Sequence, residues 1–291
     1  MIESTTSPAS PTSVTPLPFL GVLRAAGPDA LAFLQGQLTN DVRLLIDGRT
    51  QLAALNTPQG RVVALLRLRQ HEGAIYALLP SELLEPVCAL LRRFVLRSKV
   101  QLQVAADLHV GWIEGNAAAA ALAFDYAPGR TVVAAPADAW NSMTGSATPQ
   151  ARPGVDNKWR GLDIAAGLPQ VFAATSGAFV PQMLNLDLLD AISFTKGCYT
   201  GQEIVARTQH LGRIKRRLLR YRLPPGPMPA PLAGLFLEST KVAEIVMSAG
   251  MDDGVHLLAV TSLEARGSTL RAEDGREAQP VELPYLVATR D

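Results

Sequence analysis

A chain of 291 residues that is 48% hydrophobic and 18% charged is long enough for two or three domains with a substantial core. Its formal net charge of +1 gives no overall field for nucleic acid or an acidic membrane, and no apolar run approaches the roughly 18 residues of a membrane span. Two cysteines are too few for a disulfide framework and fit a reducing, cytoplasmic setting, while four scattered histidines without a CxxC pair leave no self-contained metal site.

In chain order, residues 1–17 are rich in Ser, Thr and Pro and predict a disordered tail. They lack the apolar core of a signal peptide and the arginines of a mitochondrial transit peptide. A short strand is expected over Phe19 to Arg24. Pro28 suits the first turn of a helix that sets Leu31 and Leu34 on one face and ends near Gly36. The polar string Gln35 to Asp41 reads as pocket lining or, more plainly, as a solvated helix end. Strands follow over Gln51–Asn56 and Arg61–Arg69, joined by the turn Thr57-Pro58-Gln59-Gly60, and another covers Ala74–Leu79. Pro86 opens a helix with Val87, Leu90, Leu91, Phe94 and Val95 on its apolar face and Cys88 inside it. Arg92, Arg93, Arg97 and Lys99 form either an anion site or a solvated face.

Further strands are expected at Val100–Val104, His109–Ile113 and Thr131–Ala135. Alanines between Asn116 and Ala123 favour helix. Asn141 to Asn157 reads as a surface loop or domain junction. Asp156 caps a short helix with Trp159, Leu162 and Ala166, closed by Gly167. Trp159 serves either as a stacking platform for a flat ligand or as a packed core aromatic. From Arg213 to Arg222 basic residues crowd a segment where Leu219, Tyr221 and Leu223 alternate, as in a strand. An exposed strand face is a plainer reading of that cluster than an RNA surface. The remaining strand-like runs, separated by Gly and Asp turns, suggest a small antiparallel barrel.

The most informative stretch is Lys196-Gly197-Cys198-Tyr199-Thr200-Gly201-Gln202-Glu203, running on to Arg207. It reads as a loop that feeds a helix. Thr200 is a good N-cap, Glu203 follows at capping-box spacing, and Gly212 is a natural stop. Cys198 then lies just outside the helix N-terminus, two residues from Lys196. The helix dipole and the ammonium both favour thiolate over thiol. The plainer reading makes Cys198 an apolar filler and pairs Glu203 with Arg207 at i,i+4.

These residues, from Lys196 to Arg207, resemble the signature of the YgfZ family, which is related to the aminomethyltransferase (T-protein) of the glycine cleavage system. Phe33 to Val42, the turn Pro58-Gln59-Gly60-Arg61, Leu96 to Val100, and Phe179-Val180-Pro181-Gln182 with Asn185-Leu186 follow in the family's order. The resemblance covers the chain from about Phe19 onward. It implies an α+β fold, a three-part cloverleaf around a central channel. Two antiparallel-sheet folate-binding subdomains with helices are joined there by a C-terminal β-barrel. The implied divisions are a T-protein-like region over 18–212, with subdomains at about 18–48 plus 145–212 and at about 49–144, and a barrel over 213–291.

The function that the resemblance implies is binding of tetrahydrofolate, or a one-carbon derivative, in support of iron–sulfur cluster assembly or repair, notably for tRNA-modifying enzymes. Cys198 and Lys196 take the reactive positions. Trp159, Gln202 and Arg207 take cofactor-binding ones, and Gly197, Tyr199, Gly201 and Glu203 complete the motif. The implied partners are folate and iron–sulfur enzymes or cluster-assembly proteins, with a transient iron–sulfur contact left open. Neither a membrane nor direct nucleic-acid contact is expected, and no metal is assigned. Two departures stand out. A second tryptophan of the family's folate pocket falls at Leu20, which offers no aromatic face. The acidic residue that T-proteins carry after the Gly60 turn is missing, since Ala64 and Leu65 cannot act as acid or base, and a second acidic position is Ala165. A working aminomethyltransferase is therefore not expected. A folate-dependent one-carbon transferase using Asp41 or Glu203 is the alternative.

Overall fold

Period-two apolar runs need partners to bury one face, and the first of them combine into a single antiparallel sheet. In the computed structural model, which describes residues 13–45, 48–114, 122–146, 148–150, 152–210 and 214–287, the chain starts with β1 (Ser13–Pro16), β2 (Leu20–Ala26) and helix α1 (Ala30–Gln35). Strands β3 (Thr50–Asn56), β4 (Val62–His71) and β5 (Ala74–Pro80) follow, then α2 (Leu84–Arg92) and β6 (Gln101–Val104). These strands form a five-stranded sheet in the order β3-β4-β5-β2-β6. Its inner face, with Leu23, Leu66, Leu68 and Ile75, packs with Phe33 and Leu34 of α1 and with Val87, Cys88 and Leu91 of α2. Leu31, expected beside Leu34 on the apolar face, is exposed instead. At about 100° per residue Leu31 lies to one side of the stripe formed by Ala30, Phe33 and Leu34, which are the buried residues.

The second sheet orders its strands β1-β7-β9-β8, with β7 (Leu108–Glu114), β8 (Leu122–Ala127) and β9 (Arg130–Pro136). Helix α3 (Ala137–Thr144) drives Trp140, fully buried, onto this sheet. Gly111 makes room for it: a Cβ there would lie 2.7 Å from both the Trp140 ring and Val14. Helix α4 (Val155–Ala165) sends Trp159 into the cluster of Leu20, Phe124 and Tyr126. Asn157 of α4 exchanges two hydrogen bonds with the backbone of Gly250. Helix α5 (Gln202–His210) leads into a closed barrel, ordered β10-β13-β12-β11-β14-β15. The barrel strands are β10 (Arg216–Leu223), β11 (Gly234–Leu237), β12 (Thr240–Met251), β13 (Gly254–Ser262), β14 (Leu270–Ala272) and β15 (Glu277–Val281).

Several expectations are corrected. The tail expected over 1–17 does not extend so far: Ser13–Pro16 pairs with β7 and Leu17 is fully buried, while residues 1–12 lie outside the described residues. Leu122 and Ala123, expected at the end of a helix, are strand residues of β8, because their backbone pairs with Ala134 and Val133; residues 115–121 lie outside the described residues. Asn141 to Thr144 and Val155 to Asn157, expected in a loop, are helical. Gly154, with φ +74, precedes α4, so Asp156 sits inside its first turn and does not cap it. The expected split between 18–48 and 49–144 cuts through the five-stranded sheet, since β2 hydrogen-bonds to β5 and β6. Gly212 and Arg213 lie outside the described residues.

In the basic segment that runs into β10, Arg217 is turned inward, while Lys215 and Arg222 are exposed. Arg217 is buried and its guanidinium donates to both oxygens of Asp187, at 2.5 and 2.9 Å, and to the Gln182 carbonyl. This fork joins the barrel to the segment before α5. Removing the carboxylate leaves a buried guanidinium without its counter-charge. Asp187→Ala is expected to lower unfolding stability by about 3–5 kcal/mol in chemical denaturation, and exposed Arg222 replaced by Ala by less than about 1 kcal/mol.

Candidate functional site

The Gln35 to Asp41 string is a buried polar hub, not a solvated helix end. Thr39, Asn40 and Asp41 are all buried. Thr39 donates to the Ala191 carbonyl, 2.7 Å, and accepts from the Ala54 amide. Asn40 Nδ2 donates to the carbonyls of Leu52 and Asp190. Into this hub points Lys196, only 6% exposed. Its Nζ donates to the carbonyls of Gln35 (2.7 Å), Leu38 (2.6 Å) and Asn40 (2.7 Å), which uses all three N–H bonds of the ammonium. Its Nζ also lies 5.1 Å from the buried Tyr199 ring. Burial pushes the Lys196 amine down to about 8, opposed by Asp41 and assisted by Arg43. Burial likewise pushes the Tyr199 phenol up to about 12.

Cys198 is free and exposed, between this anchor and helix α5. The helix begins at Gln202, so residues 199–201 intervene. Gly201 has φ +79, and a Cβ on it would meet the Thr57 carbonyl at 2.5 Å. A Cβ on Gly60 would in turn meet Ile204 at 2.8 Å. The two glycines therefore let the turn after β3 seat directly on the start of α5. The Thr200 hydroxyl faces Gln37 at 3.4 Å. Behind the helix, buried Gln182 donates to the Val205 carbonyl and Asn185 to Leu218 of the barrel.

Where β3 and β4 meet β8, a cavity of about 440 Å³ opens, in the size range of small-ligand pockets. Asn40, Gln51, Leu52, Arg67, Tyr126 and Asp190 are among its walls. Asn40 belongs to both places: its carbonyl holds Lys196 and its amide braces the cavity wall. Arg67 is 3% exposed, and its guanidinium carbon lies 3.5 Å above the Tyr126 ring. The Tyr126 hydroxyl donates to Asp163, 2.9 Å, and Asp163 pairs with Arg130 at 2.8 Å. Burial pushes the Asp163 carboxyl up, against the pull of Arg130 and Arg67.

No family model matches the sequence. Curated relatives do match it. The chain is 31% identical over 264 residues to the tRNA-modifying protein YgfZ of Klebsiella pneumoniae (strain 342), across 81% of this chain and 80% of that one. It is 32% identical over 295 residues to the protein of that name from Serratia proteamaculans (strain 568), across 90% and 89%. The chain belongs to the YgfZ family. Among solved structures its fold is similar to the glycine cleavage system aminomethyltransferase T from Bartonella henselae, with a TM-score of 0.74 over 96% of this chain and 87% of that one, at 14% identity.

On this YgfZ-family scaffold the residues singled out in the sequence separate into two groups. Lys196, Gly197, Cys198, Tyr199, Gly201 and Glu203 do gather around one loop, packed on the Gly60 turn. Gln202 is half-buried, reaching back weakly to the Gly197 carbonyl at 3.5 Å, and Glu203 and Arg207 are exposed on α5. Neither Gln202 nor Arg207 lines the cavity. Trp159, 2% exposed, stands behind Tyr126 at 4.7 Å between ring centroids and also lies outside the lining. Leu20 is in the same apolar cluster as Trp159. Ala64 and Leu65 are fully buried core residues. Asn40, inside the string read as pocket lining, does line the cavity, whereas Arg67, Tyr126, Arg130 and Asp163 are the residues that sequence reasoning missed. A charged residue alternating with leucines in Leu66-Arg67-Leu68-Arg69 was the available signal; it puts both arginines on one face of β4 but gives no hint that a neighbouring strand covers Arg67. Among the described residues no three His, Cys, Asp or Glu side chains are grouped to hold a metal, and no helix is long and apolar enough to cross a membrane.

Two predictions come from the hub. Lys196→Met strands three carbonyls without their donor, and unfolding stability is expected to fall by roughly 3–5 kcal/mol, read by urea denaturation. Asp41 is held down at about 2 by its paired hydrogen bonds with Arg43, with burial opposing. Its carboxylate therefore stabilises the fold above the ordinary carboxylate range, and the contribution is lost as pH falls through that range toward about 2, because the unfolded chain takes up the proton first. Asp41→Asn is expected to be less stable than wild type near neutrality, with the gap closing as denaturation is measured at pH about 2.

Proposed function

We propose that this chain is a tetrahydrofolate-binding factor that supports the assembly or repair of iron–sulfur clusters in tRNA-modifying enzymes of the cytoplasm, with Cys198 as its reactive group. The observation that carries the reading is the continuous connection from an exposed sulfur to a cavity. Cys198 sits two residues beyond Lys196, Lys196 is bonded to the Asn40 carbonyl, and the Asn40 side chain braces the cavity wall. The curated relatives are named tRNA-modifying proteins, and the fold is that of an aminomethyltransferase, which support a role of this class.

A reduced folate fits the residues present. It carries flat rings and carboxylates, and the cavity offers a buried guanidinium stacked on a tyrosine together with backbone and amide acceptors. Arg67, Tyr126 and Gln51 would hold it, with Trp159 supporting Tyr126 from behind. When bound, the folate supplies a carrier of one-carbon units. Lys196 serves this reading as a fastener: its three protons go to carbonyls, and it fixes the Cys198 loop in register with the cavity. The competing reading, a one-carbon transferase with Asp41 as general base, loses force from the Arg43 pair, since a carboxyl near 2 is a weak proton acceptor at neutral pH.

The test is complementation of a strain lacking its own YgfZ, with tRNA modification read by mass spectrometry. Cys198→Ser is expected to lose the modification supported by wild type while keeping its fold and its affinity for tetrahydrofolate. Full restoration of modification by Cys198→Ser would reject the role of the sulfur. Turnover of methylene-tetrahydrofolate by the purified wild-type chain would favour the transferase.

A further inference from the structure

Of the charged residues that line the cavity, Arg49, Asp125 and Asp190 are exposed, and Arg67 is the buried one; Arg130 and Asp163 lie behind Tyr126, outside the lining. Arg67 and Arg130 are both buried, and the buried carboxylate beside them, Asp163, is in contact with Arg130 and with the Tyr126 hydroxyl. Arg67 acts on Asp163 only from a distance. Among the described residues no hydrogen bond or ion pair reaches the Arg67 guanidinium; its contact is the Tyr126 ring at 3.5 Å. Asp125 and Asp190 stand at the exposed rim of the cavity, unpaired with Arg67. A cation–π contact does not replace the water removed from a guanidinium, and buried cations ordinarily meet an anion. An arginine fork presents two parallel N–H bonds of the spacing that a carboxylate accepts.

We propose that Arg67 is the receptor for a carboxylate of the ligand in this cavity, holding it in the plane that Tyr126 fixes. The identity of that carboxylate as the glutamyl end of a folate rests on the function proposed above; the receptor role of Arg67 does not. The recognised class is thus an acid-bearing ligand, and a pterin without its acidic tail lacks the group that Arg67 reads.

Calorimetric titration of the full chain tests this with tetrahydrofolate, p-aminobenzoylglutamate and 6-methyltetrahydropterin. In Arg67→Met the first two are expected to bind about tenfold to a hundredfold more weakly, as for a lost charge-assisted hydrogen-bonded pair, and the tail-less pterin to bind as it does to wild type. Arg67→Lys, which keeps the charge without the fork, is expected to fall between. Ligand-free Arg67→Met should melt at or above the wild-type temperature, because a buried charge without a partner is replaced by an apolar side chain. Unchanged affinity of p-aminobenzoylglutamate for Arg67→Met, or an equal loss for the tail-less pterin, overturns the proposal. A wild-type chain that binds none of the three compounds rejects the folate reading alone. Inorganic phosphate then decides for Arg67: a rise in wild-type melting temperature that Arg67→Met lacks sustains the anion site, and no such rise overturns it.

Discussion

A buried ammonium held by three backbone carbonyls is the joint on which this molecule depends. Lys196 comes from the loop before α5, and its acceptors come from the end of α1 and the segment after it, more than 150 residues earlier. Each N–H···O bond is charge-assisted, and each carbonyl would otherwise face the interior without a donor. Removing water from the ammonium costs energy, and that cost is offset only because all three protons are satisfied together. The geometry is therefore all-or-none, and the Cys198 loop takes its position from it.

The same logic is applied in several other places where parts of the chain meet. Arg217 and Asp187 tie the barrel to the segment ahead of α5, Asn157 ties α4 to β12, and Thr39 ties the hub to Ala191. These are polar contacts between parts whose apolar faces are already packed. They add little to the driving force for collapse and much to relative orientation, since a hydrogen bond fixes direction and hydrophobic burial does not. Close backbone approach does the rest. Gly60 and Gly201 touch where any side chain would separate the turn from the helix.

The cavity is built on the opposite principle. Its wall keeps a guanidinium buried and stacked on a ring, near a carboxylate that is already engaged. Local instabilities of this kind are common at functional sites. Trp159 packs edge-on against Tyr126 from outside the lining, and Tyr126 and Arg67 stand in the cavity wall itself.

What the sequence determined by itself is local. Alternation placed most strands, though not β1, β8 or β14, Pro and Gly marked several helix ends, and the run from Lys196 to Glu203 marked the loop that carries an exposed cysteine, because each of these signals resides in residue type and spacing. Tertiary structure decided the rest. The partners of Lys196 are carbonyls, which every residue carries and no side chain advertises. The tail strand Ser13–Pro16 exists only because β7 leaves an edge for it to join. Arg67 and Arg69 look alike and share one face of β4, being two residues apart; what separates them is the neighbour each meets, since β8 brings Tyr126 against Arg67 while Arg69 reaches the Gly48 carbonyl.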